Sequence, residues 1–244
     1  MRLGCFIVLV VASGLLMVSP VRAEPPKVPQ NVLVKPTFLL ANGSWSGGTG
    51  FLLRRPGRAE TLLVTCHHLF GPATGREKQM TAADIARDVC GAVGLSMQDR
   101  KTIVVANTYL AVADARAIDD AGTERDLALF IVQSGGEKPG ATAALELADG
   151  KPRLGDTVYV FARLRSEAEP KLFAATVAEV ADKWLAYAFK DKTIELAGTS
   201  GAPVLDESGH VVGMNLSGGE QNGQLVGIAN PATAMREAIA AAGK

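Results

Sequence analysis

Residues 195–215, "ELAGTSGAPVLDESGHVVGMN", decide how the rest of this sequence is read. One serine, Ser200, sits between Gly198-Thr199 and Gly201-Ala202, and Pro203 follows three positions later. Beyond it, "PVL", "DESG" and "HVVGM" spell strand, turn and strand, the pattern of a buried hairpin. Small residues around a serine have a plain reading, a surface turn, and a chemical one. A serine hydroxyl is a poor nucleophile until a base, usually histidine, takes its proton and a carboxylate orients that base. Negative charge developing on the attacked group also needs backbone N–H donors. Glycine before the serine adopts backbone shapes closed to other residues, and Gly198 and Ser200 supply two candidate amides.

Upstream, "LLVTCHHLF" places His67 and His68 at the end of an apolar strand, before the loop "GPATG". Adjacent side chains on an extended segment point to opposite faces, so only one imidazole can address a given site. His210 lies in the apolar strand after the serine turn and reads as a packed or edge residue. Asp126 opens the strongly apolar "DLALFIVQ", where a charged side chain must be exposed or partnered. Asp119 and Asp120, in "AIDDAGTE", read as solvated turn residues.

The remaining pattern is mostly short apolar runs broken by glycine or charge. "NVLVKPTFLLA", "GTGFLLRR", "ETLLVTCHHLF", "KTIVVANTYLAVADARAI" and "DLALFIVQ" form a first strand series. "GDTVYVFARL", "KLFAATVAEVA", "KWLAYAFK", "APVL", "HVVGMN" and "QLVGIAN" form a second. Strands at this spacing predict antiparallel sandwiches or barrels. "QMTAADIARDVCGAVGLSM" interrupts the first series with a helical pattern, opened by Thr81 and Asp84 at capping-box spacing. "PATAMREAIAAAG" predicts a closing helix with proline near its first turn and Gly243 near its end. The expected architecture is all-β: two packed six-stranded antiparallel barrels, a helical insertion in the first half and a C-terminal helix.

Composition narrows the function classes. The 244 residues can bury a substantial core, and their net charge of zero argues against a broad nucleic-acid footprint. Arg2, a following apolar run and Val21-Arg22-Ala23 match a cleaved secretory signal, residues 1–23. A retained anchor is the competing reading, although the run is short for a span. Cleavage leaves a nearly neutral exported chain, periplasmic or extracellular, with no membrane attachment. Cys5 lies too early for lipid attachment. Cys66 and Cys90 remain, as a disulfide or as two free thiols, and no zinc-type spacing assembles from three histidines and two cysteines. "EPPKVPQ" reads as a lead-in, residues 24–36, that cannot join a sheet interior.

The order "TCHHL", "DLALF", "GTSGAP" resembles the trypsin-like, chymotrypsin-fold serine proteases, in the bacterial form related to the high-temperature-requirement proteases. Thr65-Cys66-His67-His68 is similar to the family's histidine motif with His68 in the catalytic place. Asp126-Leu127-Ala128-Leu129 fits the aspartate motif, and Gly198-Thr199-Ser200-Gly201-Ala202-Pro203 the serine motif. "SGGTGFLL", "LGDTVYVFA" and "GHVVGMN" support it. The resemblance implies a peptidase domain over residues 37–244, with barrels at about 37–138 and 139–230 and a helix at 231–243. It carries no peptide-binding module of the PDZ type.

It implies a serine endopeptidase acting on polypeptides through His68, Asp126 and Ser200, an acyl-enzyme, and the Gly198 and Ser200 amides as oxyanion hole. No metal and no cofactor are implied. The substrate pocket is expected from Asn215, Leu216, Ser217 and Gly218, with Ile194 and Glu195 at its base. Neutral Ile194 there favours small or medium apolar residues; an inward Glu195 would favour basic ones. Thr199 replaces the family's usual aspartate or asparagine and cannot pair with a freshly cut N-terminus. Ala202 replaces a usual glycine. A catalytically inactive protease-fold scaffold is the alternative function.

Overall fold

The computed structural model describes residues 24–119, 122–133 and 143–242. The expected signal segment with Cys5, Asp120, Gly243 and the junction expected near residue 138 lie outside them. The first half comprises β1 (Leu33–Leu40), β2 (Gly43–Ser46), β3 (Gly50–Arg54), β4 (Thr61–Thr65), α1 (Ala82–Asp88), β5 (Val89–Ser96), β6 (Thr102–Leu110) and β7 (Ala128–Val132). Pairing runs β1–β3–β4–β7–β6–β5 and returns from β5 to β1, closing six antiparallel strands into a barrel with β2 outside on β1. The second half comprises β8 (Thr157–Ala162), β9 (Lys171–Val180), β10 (Leu185–Phe189), β11 (Pro203–Leu205), β12 (Val211–Gln221), β13 (Gln224–Pro231) and α2 (Ala232–Ala241). Its strands close in the order β10-β13-β12-β11-β8-β9. Closure pairs both edges of every strand, so even the three-residue β11 is held on both sides, by β12 and β8.

Inside the first barrel Phe38, Phe51, Phe70 and Phe130 are fully buried. Phe38 and Phe70 pack with ring centroids 4.3 Å apart and planes tilted by 47°. Each such ring contributes about 2–3 kcal/mol by leaving water. Phe70 lies on no strand; it ends the 3-10 turn His67–Phe70 that follows β4. The indole of Trp45 adds a hydrogen bond to the Leu69 carbonyl at 3.1 Å. The aromatic core therefore pins the turn that carries both histidines.

The structure departs from three expectations. The helical pattern over residues 79–97 yields only α1 before the chain becomes β5. Thr81 and Asp84 form the expected capping box, but Gly91 and Gly94 each weaken a continued helix by about 1 kcal/mol. A side chain at Gly91 would also lie 2.7 Å from the Ala106 carbonyl. Barrel closure needs a strand between β1 and β6, and these residues supply it. The run expected through Ile118 leaves the sheet after Leu110, so residues 111–118 form a loop that brings the Ile118 amide to Asp126. The first barrel starts at Leu33 rather than residue 37.

Candidate active site

β4 is buried at all five positions because it lies between β3 and β7. Its end delivers both histidines, on the 3-10 turn rather than an extended segment, and they still part. His67 is fully buried, with Nε2 2.9 Å from the Met80 carbonyl. A carbonyl only accepts, so Nε2 carries the proton, and Nδ1 is left without a partner. Burial lowers the pKa of His67 below the ordinary histidine value. His68 instead stays partly open to solvent, its side chain 11% exposed.

Asp126 precedes β7 and is buried. Three N–H groups converge on its carboxylate. The His68 amide donates to Oδ1 at 2.9 Å, His68 Nδ1 donates to Oδ2 at 2.7 Å, and the Ile118 amide donates to Oδ2 at 2.9 Å. A carboxylate accepts, so the imidazole proton sits on Nδ1 and the Nε2 lone pair is free to act as a base.

The serine turn comes from the second barrel. Gly198 (φ +88°) and Gly201 (φ +90°) take left-handed conformations, and the Thr199 amide donates to the Leu196 carbonyl at 3.1 Å. Thr49 of the first barrel ties it down: its amide donates to Ser200 O at 2.7 Å and its hydroxyl to Gly198 O at 2.9 Å. A Cβ built on Gly48 would lie 2.6 Å from a Leu69 methyl and 2.7 Å from Ser200 O. The serine backbone and the histidine turn therefore share one small space. The Ser200 hydroxyl donates to the Leu216 carbonyl at 3.0 Å. His68 and Asp126 are thus joined directly, whereas the Ser200 hydroxyl is engaged with Leu216 and makes no hydrogen bond to His68. Among the described residues, neither the Gly198 nor the Ser200 amide has an acceptor.

A cleft of about 410 Å³ opens next to Ser200, bordered by Leu196, Asn215, Leu216, Ser217, Gly218 and Leu225 among others. The expected Asn215, Leu216, Ser217 and Gly218 are there. Ile194 and Glu195 are not: Ile194 packs against the second barrel's core, and Glu195 is exposed. Leu196 and Leu225 take the apolar positions instead. The turn at residues 196–199 lies in irregular chain, where no periodicity tells which side chain faces inward. A Cβ on Gly218 would meet a Leu196 methyl at 2.4 Å and Val226 O at 2.7 Å, so Leu196 lies over Gly218 and limits the cleft's depth.

Cys66 and Cys90 are free thiols, the first buried and the second exposed. Burial pushes the Cys66 thiol well above its ordinary pKa, which makes it a weak nucleophile. Cys66, His68 and Asp126 bring a thiol, an imidazole and a carboxylate within 4.8 Å of one another. A cation among them would have to open the His68–Asp126 hydrogen bond. His210 is exposed, with Nδ1 3.8 Å from Asp206.

The family model for the trypsin-like peptidase domain matches residues 48–214, from the glycine lead before β3 into β12. The chain belongs to the trypsin-like peptidase family. No curated protein matches it. Its fold is similar to a serine endoprotease from Yersinia pestis, at 14% identity and TM-score 0.54, over 86% of this chain and 62% of that one. The Rv3671c protease from M. tuberculosis, in its active form, is similar at 15% identity and TM-score 0.53, over 100% and 95%. The HtrA-type protease AlgW, with a decapeptide, is similar at 13% identity and TM-score 0.51, over 86% and 64%. This chain spans less than two thirds of the Yersinia and AlgW chains. At these identities the likeness is one of family fold.

Proposed function

We propose that this chain is an exported serine endopeptidase in which Ser200 attacks a peptide carbonyl, His68 relays the proton and Asp126 holds the imidazole. The observation that carries this reading is the double hydrogen bond between His68 and a buried Asp126, beside a serine turn tied to the same barrel by Thr49. Attack requires the Ser200 hydroxyl to leave Leu216 O, to which it donates at 3.0 Å, and to turn to Nε2 of His68. Nε2 takes the hydroxyl proton as oxygen bonds to the carbonyl carbon, and later gives it to the leaving amine. Water then repeats the sequence on the acyl-enzyme. The Gly198 and Ser200 amides receive the developing oxyanion, each on the order of 3 kcal/mol of barrier. Residues 1–23 have the composition of a secretory signal, which supports a periplasmic or extracellular place of action.

A fluorophosphonate probe tests the reading. Wild type is expected to label at one residue and Ser200→Ala to stay unlabelled. A folded wild type that does not react would leave the scaffold alternative standing.

Substrate choice follows from the cleft. Its border carries Leu196 and Leu225 and no charged side chain, so cleavage is expected after small or medium aliphatic residues. Leu196→Ala deepens the cleft over Gly218 and is expected to raise the relative rate after larger apolar residues roughly tenfold, within the span of one or two methylenes. Peptide-library profiling reads both, and strict cutting after Lys or Arg would overturn the assignment.

A further inference from the structure

Thr199, between the two oxyanion amides, cannot make the charged contact that an aspartate there would, so something else must hold the turn. Asn215 approaches it from β12 and Tyr187 from β10, all three being buried. The Asn215 carboxamide nitrogen donates to Thr199 O at 3.2 Å and to Thr199 Oγ1 at 3.0 Å. The Thr199 hydroxyl in turn donates to the Leu196 carbonyl at 2.7 Å. The Tyr187 hydroxyl donates to Asn215 Oδ1 at 2.5 Å. The orientation of the amide follows from the chemistry. Thr199 O can only accept, so the NH₂ end must face it, which turns Oδ1 towards Tyr187 and makes the phenol the donor.

The consequence lies in one peptide plane. In a trans peptide the carbonyl and the following N–H point in opposite directions. Thr199 O is drawn to the interior by Asn215 and by the Ala202 amide at 2.9 Å. The Ser200 N–H on the same plane is thereby aimed away from the interior, and it has no acceptor among the described residues.

Tyr187 is itself fixed. It pairs with Gly227 across β10 and β13, and a Cβ at Gly227 would lie 2.4 Å from its ring. Burial raises the phenol's pKa, which keeps it a donor. The backbone of Asn215 adds two ties: its amide donates to Ala202 O at 2.8 Å, and its carbonyl accepts from the Gly201 amide at 2.7 Å.

We propose that Tyr187 and Asn215 are positioning residues which, through uncharged hydrogen bonds to Thr199, hold the Ser200 amide in the orientation that receives an oxyanion. The proposal rests on the serine peptidase reading and adds to it the device that assembles the turn. Asn215, which borders the cleft as expected, thereby gains a second part: its carboxamide is engaged behind the turn.

Tyr187→Phe removes one oxygen and leaves the ring on Gly227, while Thr199→Val and Thr199→Ser compare loss and retention of the threonine hydroxyl. For Tyr187→Phe and Thr199→Val, kcat on a peptide substrate is expected to fall roughly ten- to a hundredfold with KM within about threefold. Affinity for a peptide aldehyde, which forms an oxyanion with Ser200, should fall in parallel, while affinity for the product peptide holds. Thr199→Ser should keep most of kcat. Amide hydrogen exchange over residues 196–202 should rise in Tyr187→Phe and Thr199→Val and stay near wild type in Thr199→Ser. A merely structural role would lower the unfolding midpoint and leave kcat per fluorophosphonate-labelled site unchanged, and that result overturns the proposal. If wild type fails to label, the peptidase reading falls separately. Exchange over 196–202 still decides the clamp then, and no increase in Tyr187→Phe would overturn it.

Discussion

Ser200→Ala, His68→Ala and the double variant are expected to fall to one common residual rate, roughly 10⁴- to 10⁶-fold below wild type in kcat. Groups that act as a unit are non-additive, since removing the base leaves the hydroxyl almost as inert as removing the hydroxyl itself. Asp126→Asn is expected to cost about 10⁴ in kcat, because an amide in that position no longer selects the imidazole tautomer with its lone pair on Nε2. His67→Ala belongs to a different class. Its ring is buried and bonded to the Met80 carbonyl, so its removal leaves a cavity and costs about 2–3 kcal/mol of stability. Its effect on kcat at a folded site should be small. Kinetics on folded protein of known concentration measure all five variants. Additive losses for Ser200 and His68 would mean that the two residues work separately, and a larger rate loss from His67 than from His68 would move the register by one residue.

Gly201→Ala should be the most damaging conservative change in the serine turn. At φ +90° any side chain is strained, and here a Cβ would sit 1.9 Å from Thr49 O and 2.8 Å from Thr65 Oγ1. Thr49 cannot retreat cheaply: its carbonyl accepts from the Thr65 hydroxyl at 2.7 Å and its amide donates to Ser200 O at 2.7 Å. The methyl must push the turn off the first barrel. A loss of about 3 kcal/mol or more is expected, at the upper end of overpacking costs with backbone strain added. Gly209 provides the comparison, with a nearly equal φ of +87° but no atom nearer than 3.5 Å. Gly209→Ala should cost only about 1–2 kcal/mol, the left-handed penalty alone. Denaturant midpoints separate the two, and equal losses would show that contact with Thr49 contributes nothing.

Much of this molecule is legible from local pattern, for identifiable reasons. Strands such as β10 alternate buried and half-buried residues, which is the signal that alternation reports. The histidine, the aspartate and the serine each sit where an apolar strand meets a loop, and such changes of chemistry stand out along a chain. Other features depend on neighbours remote in sequence. β5 contains "VCGAVGLS", whose paired glycines and β-branched valines already weaken a helix, but only the positions of β1 and β6 make it a strand. Leu196 and Leu225 escaped because the first lies in irregular chain and the second at a hairpin end. The part played by Asn215 had a clue in the sequence, a carboxamide ending the apolar run "HVVGM" that must find partners if buried. Its partners, Thr199 and Tyr187, lie 16 and 28 residues away, and no local pattern joins them.

The tie through Thr49 has a further meaning for how the molecule comes into being. The proposed base His68 and its acid Asp126 belong to one barrel, the proposed nucleophile Ser200 to the other, and the serine turn leans on a residue of the barrel it does not come from. Under the proposed mechanism, a chain with only its first half folded would therefore have no cutting power. Hydrolysis would begin only once the two halves have docked, which makes docking itself the switch for activity.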